Sequence, residues 1–153
     1  MKLKRGDNGE AIARSMFEMA KVKVPVIAII IGEGSSGGAL AIGIGNKVIM
    51  LENAIYSILS PEGYSSILWK DSSRYKEAAE KMKLTATDLY ELKIIDKIIK
   101  EPIEINEENF KKVAQKIKKE IKSNIEMYSN MNGDEIIEER YQKFRNMGEF
   151  IRL

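Results

Sequence analysis

Val24 to Gly45 reads VPVIAIIIGEGSSGGALAIGIG, and this stretch decides the fold class. Val24 to Ile31 is apolar without alternation, the pattern of a strand buried on both faces, as in the parallel sheets of α/β proteins. Pro25 sits at the start of that strand, where a missing N–H donor is tolerated. The segment Gly32-Glu33-Gly34-Ser35-Ser36-Gly37-Gly38 is then a bend in which backbone can approach a ligand closely. The N–H groups that open the following helix have no intrahelical partner, so such a bend suits an anion or a developing oxyanion. Ala39 to Gly45 is expected as a short helix of small residues that packs closely on the sheet.

Working outward, Asp7 and Glu10 are spaced as a capping box, and Ile12, Ala13, Met16, Phe17, Met19 and Ala20 recur at helical spacing through Lys21. After the bend, Lys47 to Leu51 and Ala54 to Leu59 are expected as strands. Ser60-Pro61-Glu62-Gly63 reads as a stop, because Pro and Gly together disfavour ladder and helix. Trp69, the single tryptophan, is expected in the core. Arg74 to Met82 is helical in composition, and Thr85 with Asp88 caps a helix through Leu92. Ile94 to Ile99 reads as a short strand. From Asn106 to Tyr128 one apolar face (Phe110, Val113, Ala114, Ile117, Ile121, Ile125, Tyr128) opposes a lysine-rich face, giving a long amphipathic helix. Asn132-Gly133 breaks it before a last helix ending near Gly148.

The chain of 153 residues suits one core, and 25 basic against 23 acidic residues leave a formal charge of +2, so no overall field recruits nucleic acid or an anionic membrane. It contains neither histidine nor cysteine, which removes histidine triads, thiol nucleophiles, disulfides and the usual zinc ligand sets. No metal site is expected. Chemistry must come from carboxylates, lysines, hydroxyls or backbone. The basic start MKLKRGDNGE meets no apolar h-region, and no apolar run approaches the ~20 residues of a membrane span, so a soluble, cytoplasmic protein is expected.

Gly32-x-Gly34-x-x-Gly37 after a strand also matches the dinucleotide fingerprint, with Glu52 near the ribose-binding position. An NAD-type binding domain therefore stays open as an alternative, although the helix that would face the pyrophosphate has barely two turns and contains Gly43. Walker A is excluded, because no Lys-Ser or Lys-Thr pair follows the glycines. A second alternative is a non-catalytic interaction fragment that binds through its C-terminal helices, Asn106 to Asn146.

The segments EAIAR (Glu10 to Arg14), KVPVIAIIIGEGSSGGALAIG (through Gly43), MLENAIYSILSPEG (Met50 to Gly63), SILWKD (Ser66 to Asp71), MKLTATDLYELKIIDKIIKEP (Met82 to Pro102) and RYQKF (Arg140 to Phe144) together resemble the carboxyltransferase α subunit of bacterial-type acetyl-CoA carboxylase, a crotonase-like family. The resemblance implies an α/β, crotonase-like fold of ββα repeats, partial, with C-terminal amphipathic helices: residues 1–103 as the C-terminal half of the carboxyltransferase core and 104–153 as a helical extension. It implies transfer of a carboxyl group from carboxybiotin, borne on a biotin carboxyl carrier protein, to acetyl-CoA, giving malonyl-CoA for fatty acid synthesis. Biotin would not be attached to this chain.

Carried over by position, the resemblance places the backbone oxyanion hole at Gly34 and Ser35, with Gly37 and Gly38 opening the supporting helix. Ser35 stands where the family pattern GEGGSGG has glycine, so a positive φ there would cost about 1 kcal/mol. Glu62 falls in the region where some crotonase relatives place an acid/base carboxylate, which carboxyl transfer does not require; Ser60, Pro61, Glu62 and Gly63 are held as candidate substrate-binding residues, with a structural turn as the favoured role. Lys111, Lys112, Lys116, Lys118, Lys119 and Lys122 are expected on a solvated face. The family's chain carries an N-terminal half before the segment matching Lys4, so apolar edges are expected to lie exposed here. Partners implied are a β subunit, which holds any zinc, and the carrier protein, in an α2β2 assembly; activity without the β subunit, or without the missing half, is not expected.

Overall fold

Parallel pairing through short crossovers builds two small sheets side by side. The computed structural model describes residues 7–148, with side chains from residue 9 onward, so the capping side chain expected at Asp7 lies outside what is described. The order is α1 (Asp7–Ala20), β1 (Ile27–Ile30), β2 (Glu33–Ser35), α2 (Ser36–Gly43), β3 (Lys47–Leu51), β4 (Ile55–Ser57), α3 (Pro61–Trp69), a 3-10 turn (Ser72–Arg74), α4 (Tyr75–Lys81), α5 (Ala86–Glu91), β5 (Lys97–Ile99), α6 (Glu107–Tyr128) and α7 (Gly133–Arg145). The first sheet has the order β1-β3-β5 and the second pairs β2 with β4, all parallel. This is the mixed α/β arrangement with C-terminal helices that the sequence implied.

β3 is the central strand, and Val48, Ile49, Met50 and Leu51 are each at most 2% exposed. They form one cluster with Ala28, Ala54, Ala86, Leu89, Ile95, Ile99 and Val113. α6 lies against β5: Lys97 pairs with Glu120 at 2.7 Å, and Lys116 Nζ donates to the Lys100 carbonyl at 2.6 Å, so the helix runs antiparallel to the strand and Lys116 is tied down rather than free on the solvated face. Asn106 caps α6, accepting from the N–H groups of Glu108 and Asn109 at 3.0 Å, and Asn132 caps α7 in the same way with Glu135 completing the box.

Several expected boundaries shift. The glycine bend is partly a strand, because Glu33 to Ser35 pair with β4. Ser60-Pro61-Glu62-Gly63 starts a helix instead of only stopping a strand: Ser60 Oγ accepts from Gly63 N at 3.1 Å and Pro61 takes the first helical position, where its fixed φ fits and its missing N–H costs nothing. Ile94 and Ile95 are not strand; their N–H groups both donate to the Leu89 carbonyl, closing α5, and only Lys97 to Ile99 joins the ladder. Trp69 is half-buried outside the core cluster, with Arg74 stacked 4.2 Å from its ring and Tyr64 edge-on at 5.8 Å. A π face that attracts a guanidinium stays near water, which is why this tryptophan is not a core residue.

α7 is joined to the sheet by a buried polar cluster at the N-terminal ends of the strands. Arg140 is 1% exposed and Asn46 is 0% exposed. The guanidinium donates to the carbonyls of Met19, Ala20, Val22 and Val24 and to Asn46 Oδ1, collecting the end of α1 and the approach to β1. Glu139 accepts from Asn46, Lys47 and the Tyr128 hydroxyl at 2.6, 3.1 and 3.0 Å.

The opposite ends of the strands lie beside apolar surface. A groove of about 700 Å³ is lined chiefly by Ile31, Leu51, Ile105, Phe110, Ile121 and Ile125. Ile31 is 68% exposed and Phe110 is 59% exposed. Among the described residues β1 has a ladder partner on one side only, and so does β2.

Candidate functional site

The glycine segment folds as a strand, a sharp turn and a helix, and at two of its glycines, Gly34 and Gly37, the neighbours leave little room for a side chain. A Cβ at Gly37 would meet Ile12 Cδ1 of α1 at 2.8 Å, and one at Gly34 would lie 3.2 Å from the Tyr56 ring. The turn itself is made by Ser36, with φ 66°, a left-handed conformation for a residue with a side chain. Ser35 has φ −140° and ψ 161°, which is ordinary extended backbone. The strain expected at Ser35 therefore falls one residue later, and serine at position 35 fits without cost. Gly34-Ser35-Ser36-Gly37-Gly38 thus has the strand, strained serine, helix shape of a nucleophile elbow, but the chain has no histidine to activate the hydroxyl.

Ladder parity decides which amides are free. Ile55 N donates to the Gly32 carbonyl at 3.0 Å while Glu33 is in register with Ile55. In a parallel ladder residues alternate in pointing both their backbone groups to one neighbour, so Gly34 turns its N–H into β4 and Ser35 turns its N–H to the free edge. The expected pair is split: Gly34 is held in the ladder and Ser35 keeps an open donor. Helix α2 supplies more, because Ser35 sits at its N-cap position without a capping bond and its Oγ lies 3.2 Å from Ser57 Oγ instead. The first-turn N–H groups at Gly37 and Gly38 are left without a side-chain acceptor, at the positive end of the helix.

A cavity of about 290 Å³ is bounded by Ala28 to Gly34, Ala39, Ile42, Gly43 and Tyr56; its wall takes in Gly34 and Ala39, on either side of the donor segment, but not Ser35, Gly37 or Gly38. Its walls are apolar apart from backbone, the Tyr56 hydroxyl and the exposed Glu33. Burial pushes the Tyr56 phenol above its ordinary value of 10.0, so it stays a neutral donor, and it donates to the Ala39 carbonyl at 3.2 Å. This arrangement can hold a small, flat, largely apolar group at one end and stabilise negative charge on its oxygen at the other.

Ser60 to Gly63 open α3, three residues beyond Ser57, so at most about 10 Å of chain separates them from the strand that flanks Ser35. Glu62 is exposed on the first turn of α3, and Ser60 spends its Oγ on the Gly63 cap. Glu52 sits on the exposed turn after β3, and the glycine run crosses into a second sheet rather than turning directly into a helix, so the dinucleotide geometry is not reproduced. Tyr56 and Ser36 were not singled out from sequence; the only signal for Tyr56 was the pair of glycines it excludes from having side chains.

A family model described as acetyl co-enzyme A carboxylase carboxyltransferase-like matches residues 3–148. The acetyl-coenzyme A carboxylase carboxyl transferase subunit alpha of Staphylococcus haemolyticus is 53% identical over 142 residues, covering 93% of this chain and 45% of that protein. A protein of Natranaerobius thermophilus named for subunits beta/alpha is 49% identical over 143 residues, 94% of this chain and 24% of its own length. Among solved structures, transcarboxylase 12S superposes with a TM-score of 0.59 at 17% identity over 83% of this chain and 26% of its own, a likeness of fold. The chain spans about half the length of the curated α-subunit relatives it matches.

Proposed function

The chain belongs to the acetyl-CoA carboxylase carboxyltransferase-like family, and from that premise we propose that it forms the carboxyl-transfer part of an α subunit, moving a carboxyl group from carrier-borne carboxybiotin to acetyl-CoA to give malonyl-CoA. The observation that carries the reading is the set of open backbone donors at Ser35, Gly37 and Gly38, in the segment that joins two walls of an apolar cavity, Gly34 of β2 and Ala39 of α2. A cavity of about 290 Å³ suits a neutral bicycle, and the proposal places its one strongly accepting oxygen toward that segment. When bound, carboxybiotin supplies the carboxyl group, and the biotin nitrogen that gives it up takes the proton lost from the acetyl-CoA methyl group. The N–H groups of Ser35 and the first turn of α2 donate to the ureido oxygen as negative charge grows on it, and the apolar walls exclude the water that would hydrolyse the carboxyl donor. Gly34 holds the strand that aims them, while Ser60, Pro61, Glu62 and Gly63 serve as the turn that opens α3.

Assembly is part of the proposal. The groove beside α6 and the free edges of β1 and β2 are surfaces that a larger complex covers. The partners are the β subunit, in keeping with the fused beta/alpha relative, and the biotin carrier, in an α2β2 complex in the cytoplasm. Among the described residues no helix is long and apolar enough to cross a membrane.

The test is malonyl-CoA-dependent carboxylation of a biotin derivative by the chain alone, with a carboxyltransferase β subunit, and with β plus the unmatched portion of the S. haemolyticus α subunit. Turnover that requires the added polypeptides is expected. Robust turnover by the isolated chain, or none even in the third mixture, sinks the proposal.

A further inference from the structure

The aim of the donor loop depends on something outside it. β2 is three residues long and α2 has eight residues, one of them Gly43, so neither element is stiff by itself. Tyr56 touches both. It stands opposite Gly34 in the β2–β4 register, its ring fills the space a Gly34 side chain would take, and its hydroxyl reaches the Ala39 carbonyl of α2 at 3.2 Å. At the far end of the same helix a Cβ on Gly43 would fall 2.1 Å from the Tyr56 oxygen but 3.2 Å from the ring carbon that bears it. The position of Tyr56 is fixed from behind as well, because its backbone N–H donates to the Leu84 carbonyl at 3.2 Å.

We propose that Tyr56 is the positioning residue of this site: one rigid side chain that sets strand β2 and helix α2 at the angle where the Ser35 amide and the α2 amides converge. The inference rests on the oxyanion-binding reading of the loop, and it adds that Gly43 is glycine in order to admit the Tyr56 hydroxyl. Tyr56 touches no reacting atom; it acts through the loop.

The geometry makes a compensation testable. Removing the hydroxyl deletes one bond to α2, an effect of about fivefold on local opening. Adding a methyl at Gly43 expels the hydroxyl and displaces the ring. Removing the hydroxyl and adding the methyl together leaves a tight but tolerable contact at 3.2 Å. Amide hydrogen exchange over residues 33–43 of the whole chain, read against the β3 core at 47–51, is therefore expected to rise about fivefold in Tyr56→Phe and further in Gly43→Ala, and to return in the double variant to the Tyr56→Phe level. Should Gly43→Ala not fold alone, recovery of soluble protein in the double variant is the same readout. A double variant as loose or insoluble as Gly43→Ala, or no change in Tyr56→Phe, overturns the proposal. In the assembled carboxyltransferase, Tyr56→Phe is expected to lower kcat about fivefold with KM unchanged. Raised exchange with unchanged turnover would make Tyr56 a structural brace only and overturn its role as a positioning residue, whereas failure of the oxyanion reading would show as absent turnover in the assembled protein with Tyr56 intact.

Discussion

Arg140 offers the sharpest test of how this chain holds together. It is 1% exposed, and its guanidinium donates to four carbonyls, those of Met19, Ala20, Val22 and Val24, at 2.9, 3.2, 2.9 and 2.9 Å. It also grips Asn46 Oδ1 from two nitrogens, at 3.1 and 2.7 Å. Arg140→Met keeps much of the volume and deletes every donor. A buried acceptor left without a partner costs about 1–3 kcal/mol, and water entering the gap holds each to the lower end, so the four carbonyls together give about 4 kcal/mol. That is a large part of the 5–15 kcal/mol total of an ordinary domain. With a urea m-value of about 2 kcal/mol/M, the unfolding midpoint falls by about 2 M. Arg140→Lys places three donors at one point and cannot fork, so it recovers only part of the loss. The control is Lys23→Met, which breaks an exposed pair with Asp134 and is expected to leave the midpoint in place. Urea titrations followed by far-UV circular dichroism decide the matter: an Arg140→Met midpoint equal to that of the control, or a fully native Arg140→Lys, would falsify the account of α7 as a clamp on α1 and β1.

Other perturbations follow from the same geometry. Ser36→Gly relieves the left-handed backbone at φ 66° and is expected to raise stability by up to about 1 kcal/mol, whereas Ser35→Gly, at φ −140°, gains nothing and loses about 0.5 kcal/mol of conformational restraint; urea midpoints that rank the two the other way would contradict the assignment of the strained position. For Glu139, burial pushes the carboxyl up, but hydrogen bonds from Asn46, Lys47 and Tyr128 outweigh it and hold the group below its ordinary value of 4.5. A depressed folded pKa means stability that is present above the unfolded value and lost as pH falls through the folded one, so urea midpoints are expected to drop in acid below about pH 4.5, and less in Glu139→Gln. Identical acid profiles for the two proteins would remove Glu139 from that role.

What the chain carries locally is legible without a structure. Apolar runs and helical spacing mark β1, β3, α1 and α6, and the cap at Thr85 stands where a short polar side chain reaches an N–H three residues on. The same logic was available at Ser60-Pro61, where the signal for a helix start was outvoted by reading Pro and Gly as breakers. The resemblance of the bend and its flanks to the carboxyltransferase α family was equally legible, because a motif is local too.

Only the tertiary structure decided which backbone groups that region offers. The direction of the Gly34 and Ser35 N–H groups depends on the register of β2 with β4, a partner 22 residues away, and a slip of one residue would exchange them. The hydroxyl of Tyr56 reaches α2 only because parallel pairing sets it beside Gly34, and Arg140 finds Asn46 across 94 residues of sequence. Caps and periodicity act within a turn of chain, so sequence determines the elements. Sheet register and buried polar pairs are settled only when distant segments compete for the same acceptors, and that competition is resolved in the folded protein.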